Sequence, residues 1–565
     1  MFFYQLRQRC IFVGLLLLLI FIVYFFIFYP IYTSNHVIIS FAVHPFDMCK
    51  EYPNGWLFIK KLFLFFSVVS HLIIFNTIFS SLVKNSENKK SKTITSDFPT
   101  NGALCLEVGQ DSNKNVVYLP EKGLFQNILV TGTIGTGKTS SAMYPFTKQL
   151  IQYNHSSPDE KIGALILDVK GNYYRQVQDY CRQCHRLQDL IILGLNNHVF
   201  YNPLDKPHLK ASILAHRLKT ILLLFSPNNS ESFWLDKAEQ ILSECIKLCR
   251  IYNEGYVTFQ ELHKLITVPQ YYEEKINLIR HLFKNGSLSK EDCFNLLSSI
   301  QFFEKEFLQL DDRTLAILKS EITRITSCFI SDMEVLNTFC PSREKINFNG
   351  FHDVLKQGKI VVLNMNIAEY RNLSKLIAAY LKLDFQTEVM QQLGIAKPER
   401  IVAFISDEYH EYVTATDAEF FAQSREAKCI NIVATQSYTS LLNTLKDKYT
   451  VNTITQNLIN KIWFRTDDIL TIEDAQKQIG KEEKIKYSKS IAENAKTTDF
   501  NYFTKKFNAS DSNLSESINT YSQFDFIYDT NYFTQKLETF HSVIFLSTGN
   551  KILPPQEIKM FPYFI

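Results

Sequence analysis

Eight residues, Gly132-Thr-Ile-Gly-Thr-Gly-Lys138-Thr139, constrain this chain of 565 residues more tightly than anything else in it. The pattern G-x-x-x-x-G-K-[ST] requires a strand before it and a helix after it, because its glycines let the backbone curl until successive N–H groups face inward at an anion. Asn127 to Val130 reads as that strand and the downstream run TSSAMYPFTKQL as that helix. The helix N-terminus adds the positive end of its dipole. Gly132, Thr133, Gly135, Thr136, Gly137, Lys138, Thr139 and Ser140 are therefore the expected nucleotide-binding residues, with Lys138 meeting the β and γ phosphates and Thr139 the metal. The expected ligands are ATP and Mg²⁺. Pro145 falls inside the expected helix, where a missing N–H predicts a kink or an early stop.

A second element completes the chemistry. Ile401-Val-Ala-Phe-Ile-Ser-Asp407-Glu408 is an apolar strand delivering two adjacent carboxylates at its C-terminal end, where ligands bind in α/β sheets. Asp407 suits the metal shell, and Glu408 suits polarisation of an attacking water. Further strand-like runs at Ala164 to Asp168 and Lys359 to Asn364 are each followed by a longer amphipathic stretch. That alternation predicts an α/β fold with a mostly parallel sheet covered by helices.

The remaining organisation follows from hydropathy and charge. Residues 11–32 and 62–83 are long, almost uncharged apolar runs, each sufficient to cross about 30 Å of hydrocarbon, so two N-terminal transmembrane helices are expected. Arg7 and Arg9 before the first run, and Lys84, Lys89, Lys90 and Lys92 after the second, place both termini and the bulk of the chain in the cytoplasm. His71, in the second run, reads as an imidazole bonded to a neighbouring helix. Residues 1–83 are thus a membrane anchor and 84–100 a polar linker. Residues 101–232 and 343–565 read as two parts of one nucleotide-binding domain, interrupted at 233–342 by an all-helical insertion. From Asp236 to Cys340 that insertion holds 16 acidic and 12 basic residues, which favours protein contacts over phosphate binding. Gly480 to Asp529, rich in Lys, Ser, Asn and Thr with weak periodicity, reads as containing a mobile excursion. The net charge of +3 supplies no bulk attraction for nucleic acid, and 11 scattered cysteines suit a reducing compartment. Cys181-Arg-Gln-Cys184-His185 matches a haem-attachment pattern but sits on a helical run in the cytoplasmic part, so coincidence is the reading. Cys245 and Cys249 read as buried thiols.

Together these motifs resemble the type IV secretion coupling proteins, the membrane ATPases of conjugation. Asp168-Val-Lys170-Gly171, Tyr201-Asn-Pro-Leu-Asp205, Ser424-Arg425-Glu426-Ala427 and Ala434-Thr435-Gln436-Ser437 are similar to blocks of that family, as is the segment PPQEIKMFP. Asn172 departs from the Glu common at its position, so no catalysis is assigned to that loop. The resemblance implies a RecA-like domain in a homo-hexameric ring at the bacterial inner membrane. It also implies delivery of single-stranded DNA with its relaxase, or of protein effectors, to secretion channel proteins. Gln436 resembles the family's γ-phosphate sensor and Arg425 its trans-acting arginine, giving Lys138, Glu408, Gln436 and Arg425 as expected catalytic residues, with Thr139 and Asp407 on the metal. Two rivals are a double-stranded DNA pump of the chromosome-partition type, for which no duplex-gripping appendage is visible, and a non-catalytic scaffold that only senses nucleotide.

Overall fold

The computed structural model describes residues 103–564 apart from 196–197, 226–231, 287–288, 308, 395–399, 494–497, 502–505 and 510–513, and also Phe65. The chain divides into two units, Met1–Phe98 and Pro99–Ile565. Among the described residues no helix is long and apolar enough to cross a membrane. The expected spans 11–32 and 62–83, Phe65 excepted, and the linker 84–100 lie outside the described residues.

The apolar runs form the central strands of one eleven-stranded sheet. Its members are β1 (Cys105–Gln110), β2 (Val116–Pro120), β3 (Ile128–Thr131), β4 (Gly163–Leu167), β5 (Leu190–Leu193), β6 (Ile360–Leu363), β7 (Val402–Ser406), β8 (Cys429–Thr435) and β9 (Asn460–Trp463). After β10 (Lys481–Glu493), β11 (Thr498–Asn501), β12 (Lys506–Ala509) and β13 (Leu514–Phe526), which lie outside it, come β14 (His541–Phe545) and β15 (Gln556–Met560). The order is β2-β1-β15-β14-β9-β3-β8-β7-β4-β6-β5. From β9 to β5 every pairing is parallel, whereas β2, β1, β15, β14 and β9 pair antiparallel.

The period of two along each central strand divides its side chains between two cores. Leu165 and Leu167 of β4, Val402 and Phe404 of β7, and Cys429 and Val433 of β8 enter one. Their neighbours Ala164, Ile166, Ala403, Ile405, Ile430 and Ile432 enter the other, against helices Tyr144–Gln152 and Tyr173–Gln183. Both faces being covered explains why these strands read as continuous apolar runs.

Helices run from Ala211–Phe225 through Ser232–Tyr252, Phe259–Thr267, Pro269–Lys284, Lys290–Phe302 and Asp312–Thr326 to Met333–Phe339. Thr258, Ser289, Asp311 and Asp332 cap four of them by accepting backbone N–H bonds. This helical region shares the first core with the sheet: Phe259 stacks on Phe329 at 3.8 Å and meets Tyr380 edge-on at 6.2 Å. Tyr380 belongs to helix Ile367–Met390, which also carries Asp384, paired with Arg217 at 2.8 Å and Lys206 at 3.2 Å in the buried junction.

Two local expectations are corrected. Pro145 neither breaks nor ends its helix, because the first turn, Thr139–Met143, is a π-turn and Pro145 follows at the start of the α-helical part, where an N–H is not needed. Much of Gly480 to Asp529 is strand: β10 and β13 pair along their whole length as an antiparallel ribbon, and β11 pairs with β12. Its mixed polar composition suits a ribbon lying outside the main sheet.

Candidate active site

The loop after β3 is held by its two parallel neighbours. The carbonyl of Gln436, just beyond β8, accepts from Gly132 N at 3.3 Å, and that of Arg465, just beyond β9, accepts from Thr133 N at 2.9 Å. Gly137 has φ +99, and a Cβ there would stand 2.5 Å from the Phe540 ring, so both conformation and space require glycine. Lys138, only 7% exposed, folds its ammonium back on the loop, donating to the Gly132 carbonyl at 2.5 Å and the Thr133 carbonyl at 3.0 Å. Burial pulls its pKa below the ordinary lysine value, against the opposing pull of Glu408 and Asp407. Thr136 Oγ1 donates to the Thr133 carbonyl, and Ser140 Oγ to that of Gly137, closing the loop on itself.

Opposite stands the end of β7, separated from β3 by β8 alone. Thr139 Oγ1 donates to Asp407 Oδ2 at 2.7 Å, joining the two expected metal ligands. Burial, with Asp168 and Glu408 as negative neighbours, pushes the Asp407 carboxyl up to about 6 against the pull of Lys170 and Thr139. Among the described residues no group of three or more His, Cys, Asp or Glu could hold a metal. One hydroxyl and one carboxylate suit Mg²⁺, which keeps most of its shell for water and phosphate oxygens.

Glu408 occupies the left-handed region, with φ +48 and ψ +44, a conformation that stores strain in a residue with a side chain. Its carboxylate accepts from Gln436 Nε2 at 3.2 Å, so the structure brings these two expected residues together. It also meets Lys170 Nζ at 3.5 Å and His410 Nδ1 at 3.7 Å. Burial lowers the His410 pKa despite Glu408 and Glu411 beside it. Burial likewise works against the charge on Lys170, yet Asp407, Glu408 and Asp168 outweigh it and raise the pKa. Sequence reading assigned no role to the loop of Lys170. Its D-x-K-G pattern was the available signal, and Asp168 fixes the turn by accepting from the N–H groups of Lys170, Asn172 and Tyr173 at 3.1–3.3 Å.

The loop after Glu408 is anchored from beneath. Lys382, on helix Ile367–Met390, donates to the Tyr412 carbonyl and Thr414 Oγ1 at 2.8 Å each and to Asp417 Oδ2 at 2.6 Å. Asp417 accepts in addition from Tyr409 OH, Gln386 Nε2 and Thr414 N.

Arg425 stands apart. It is exposed in the turn after helix Asp417–Gln423 and forms no ion pair among the described residues, with Glu419, Glu426 or the cluster around Glu408. Cys181, Cys184, Cys245 and Cys249 are buried free thiols, and burial raises the pKa of each, Cys181 to about 12.

Residues 115–309 match the family model for the type IV secretion-system coupling protein DNA-binding domain. No curated protein matches the chain. Among solved structures, the unbound bacterial conjugative coupling protein TrwBdeltaN70 superposes with a TM-score of 0.54 at 12% identity, over 80% of this chain and 88% of that one. The plasmid coupling protein TrwB in complex with ADP and Mg²⁺ gives 0.52 at 11% identity, over 78% and 87%. TrwB with a non-hydrolysable ATP analogue gives 0.53 at 11%, over 81% and 89%. The fold is thus the α/β fold of TrwB, a mostly parallel sheet with a helical insertion. In its motifs, in residues 115–309 and in its fold, this chain is thus similar to the type IV secretion coupling proteins.

Proposed function

We propose that the chain is an ATP-hydrolysing coupling protein that recruits single-stranded DNA with its relaxase, or protein effectors, and drives them to a type IV secretion channel. The observation that carries the ATPase reading is the convergence of Thr139 on Asp407 and of Gln436 on Glu408 across three adjacent strands. TrwB, of the same fold, has been captured with ADP and Mg²⁺, which supports assigning both ligands here.

In this reading Thr139 and Asp407 would hold Mg²⁺, which would supply positive charge against the phosphates. Lys138 leaves the loop carbonyls for the phosphates, and backbone N–H groups of the loop beyond Thr133, up to Ser140, cradle them. The water oxygen bonds to the γ phosphorus as the bond from that phosphorus to the β–γ bridging oxygen breaks and ADP leaves; Glu408 accepts the proton of this water, and the Gln436 amide orients the water or the terminal phosphate. Arg425, exposed and unpaired, reaches the site of a neighbouring subunit in a hexamer. The two N-terminal spans fix the ring to the inner membrane.

Hydrolysis by the purified full chain tests this. Glu408→Gln should lower kcat by about 10²- to 10⁴-fold while Mg-ATP still binds. Lys138→Ala should weaken binding itself. Turnover in Glu408→Gln near the wild-type rate would remove Glu408 from its assigned role, and a wild-type chain that binds Mg-ATP without hydrolysing it would favour the nucleotide-sensing scaffold.

A further inference from the structure

On the flank away from Glu408, the P-loop is bordered by aromatic rings that the reaction does not use. Phe540, just before β14, donates its N–H to the Thr136 carbonyl at 3.1 Å and lays its ring against Gly137. It does so at φ +65, a left-handed conformation that bulky side chains avoid, so the position of this ring is imposed by its surroundings. Met560, the last residue of β15, donates its N–H to the Phe540 carbonyl at 2.8 Å, and Tyr563 donates its own to the Ser140 carbonyl at 2.9 Å.

The rings form a continuous edge-to-face series. Buried Tyr173 meets Tyr144 at 4.6 Å, Tyr144 meets Tyr563 at 5.1 Å, Tyr563 meets Phe564 at 5.3 Å, and Phe564 meets Phe540 at 5.8 Å. The series starts in the core and ends at solvent, where Tyr563 is 43% and Phe564 59% exposed. Fixed aromatic faces in water beside a phosphate-binding loop suit a flat aromatic ligand.

Direction follows from the sheet order. Gln436 and Glu408 mark the terminal-phosphate end, on β8 and β7 to one side of β3, while β9, β14 and β15 lie to the other. A triphosphate with its γ end at Glu408 sends its α end past Ser140, whose carbonyl is held by Tyr563. Resting on the nucleotide reading above, we propose that Phe564, backed by Tyr563 and Phe540, is the stacking face for the nucleotide base and separates nucleotide binding from bare triphosphate binding.

The test compares Mg-ATP with inorganic tripolyphosphate plus Mg²⁺, measuring affinity by calorimetry on the detergent-purified full chain. Phe564→Ala should weaken ATP on the order of 10-fold, the scale of base stacking on an aromatic side chain, and leave tripolyphosphate within about twofold. Phe564→Trp should retain ATP affinity. Tyr563→Ala should act in the same direction. Equal weakening of both ligands would show that the rings only brace the loop and overturn the proposal, as would ATP affinity unchanged in both alanine variants. If wild-type chain binds tripolyphosphate and not ATP, the base has no seat here. If it binds neither, the nucleotide reading itself falls.

Discussion

Replacing Lys382 with Met tests how the loop behind Glu408 is held. The side chains of Lys382 and Asp417 are both fully buried, and the ammonium donates to Tyr412, Thr414 and Asp417 at 2.6–2.8 Å. Met has similar length and fills the space, so the cavity cost is small. What remains is an ionised Asp417 that has lost its countercharge, and a Tyr412 carbonyl without this donor. Removing one partner of a buried pair costs about 3–5 kcal/mol. Asp417 keeps donors from Tyr409, Gln386 and Thr414, which places the expected loss toward the lower end of that range. Lys382→Met should therefore lower the guanidinium midpoint by an amount equivalent to about 3 kcal/mol. Adding Asp417→Asn removes the orphaned charge and should recover part of the loss, so the double variant is more stable than Lys382→Met alone. kcat should fall in Lys382→Met as well, because residues 409–417 continue directly from Glu408. A single variant within about 1 kcal/mol of wild type, or a double variant no better than the single, would refute this reasoning.

The other expectations are briefer. Arg425→Ala should nearly silence a homogeneous ring, and mixing it with Lys138→Ala subunits should restore part of the hydrolysis, since an intact loop then faces an intact arginine; a mixture that assembles yet stays inactive removes the trans role. With Asp407 on the metal as proposed, Mg-ATP binding requires its ionised form; burial raises its pKa from the usual 3.8 to about 6, so affinity measured by titration should fall as pH drops through about 6. The same shift means that the ligand-free fold gains stability from this group as pH falls from 6 toward 3.8, so a pH-independent Mg-ATP affinity between 5 and 7 would contradict it. A reporter fused after residue 92 should register as cytoplasmic and one inserted near Asn54 as external, with the reverse result overturning the two-span topology.

What the sequence disclosed was local. The strand read at Asn127 to Val130 is β3, and those read at Ala164 to Asp168, Lys359 to Asn364 and Ile401 to Ile405 are β4, β6 and β7, each shifted by a residue or two at its ends. Each is an uninterrupted apolar run because helices cover both faces. The sequence reading does not single out β1, β2, β14 and β15: β1–β2 and β14–β15 are short neighbouring pairs, and what joins them into one flank is the β1–β15 pairing, hundreds of residues apart. Glu408 and Gln436 were legible as motif residues, and their contact follows from β8 lying beside β7. Lys170 was visible as a motif without a role, because only the turn capped by Asp168 swings its ammonium toward Glu408. The aromatic border of Phe540, Tyr563 and Phe564 carries no spacing signal at all, as it depends on β15 returning beside β14.

The sheet order also governs when this protein can become active during its synthesis. β3, which carries the P-loop, is hydrogen-bonded on one side to β8 and on the other to β9, both made some three hundred residues later. β1 must await β15, which is later still. A ribosome adding about 5–20 residues per second therefore leaves the Gly132–Thr139 segment without either neighbour for many seconds. During that interval the apolar edges of β3 and β4 are open to wrong pairings, and loop-closure entropy slows their correct partners. The site cannot bind productively until β7, β8 and β9 have all emerged, so a nascent chain stalled before Cys429 should be catalytically silent and dependent on chaperones.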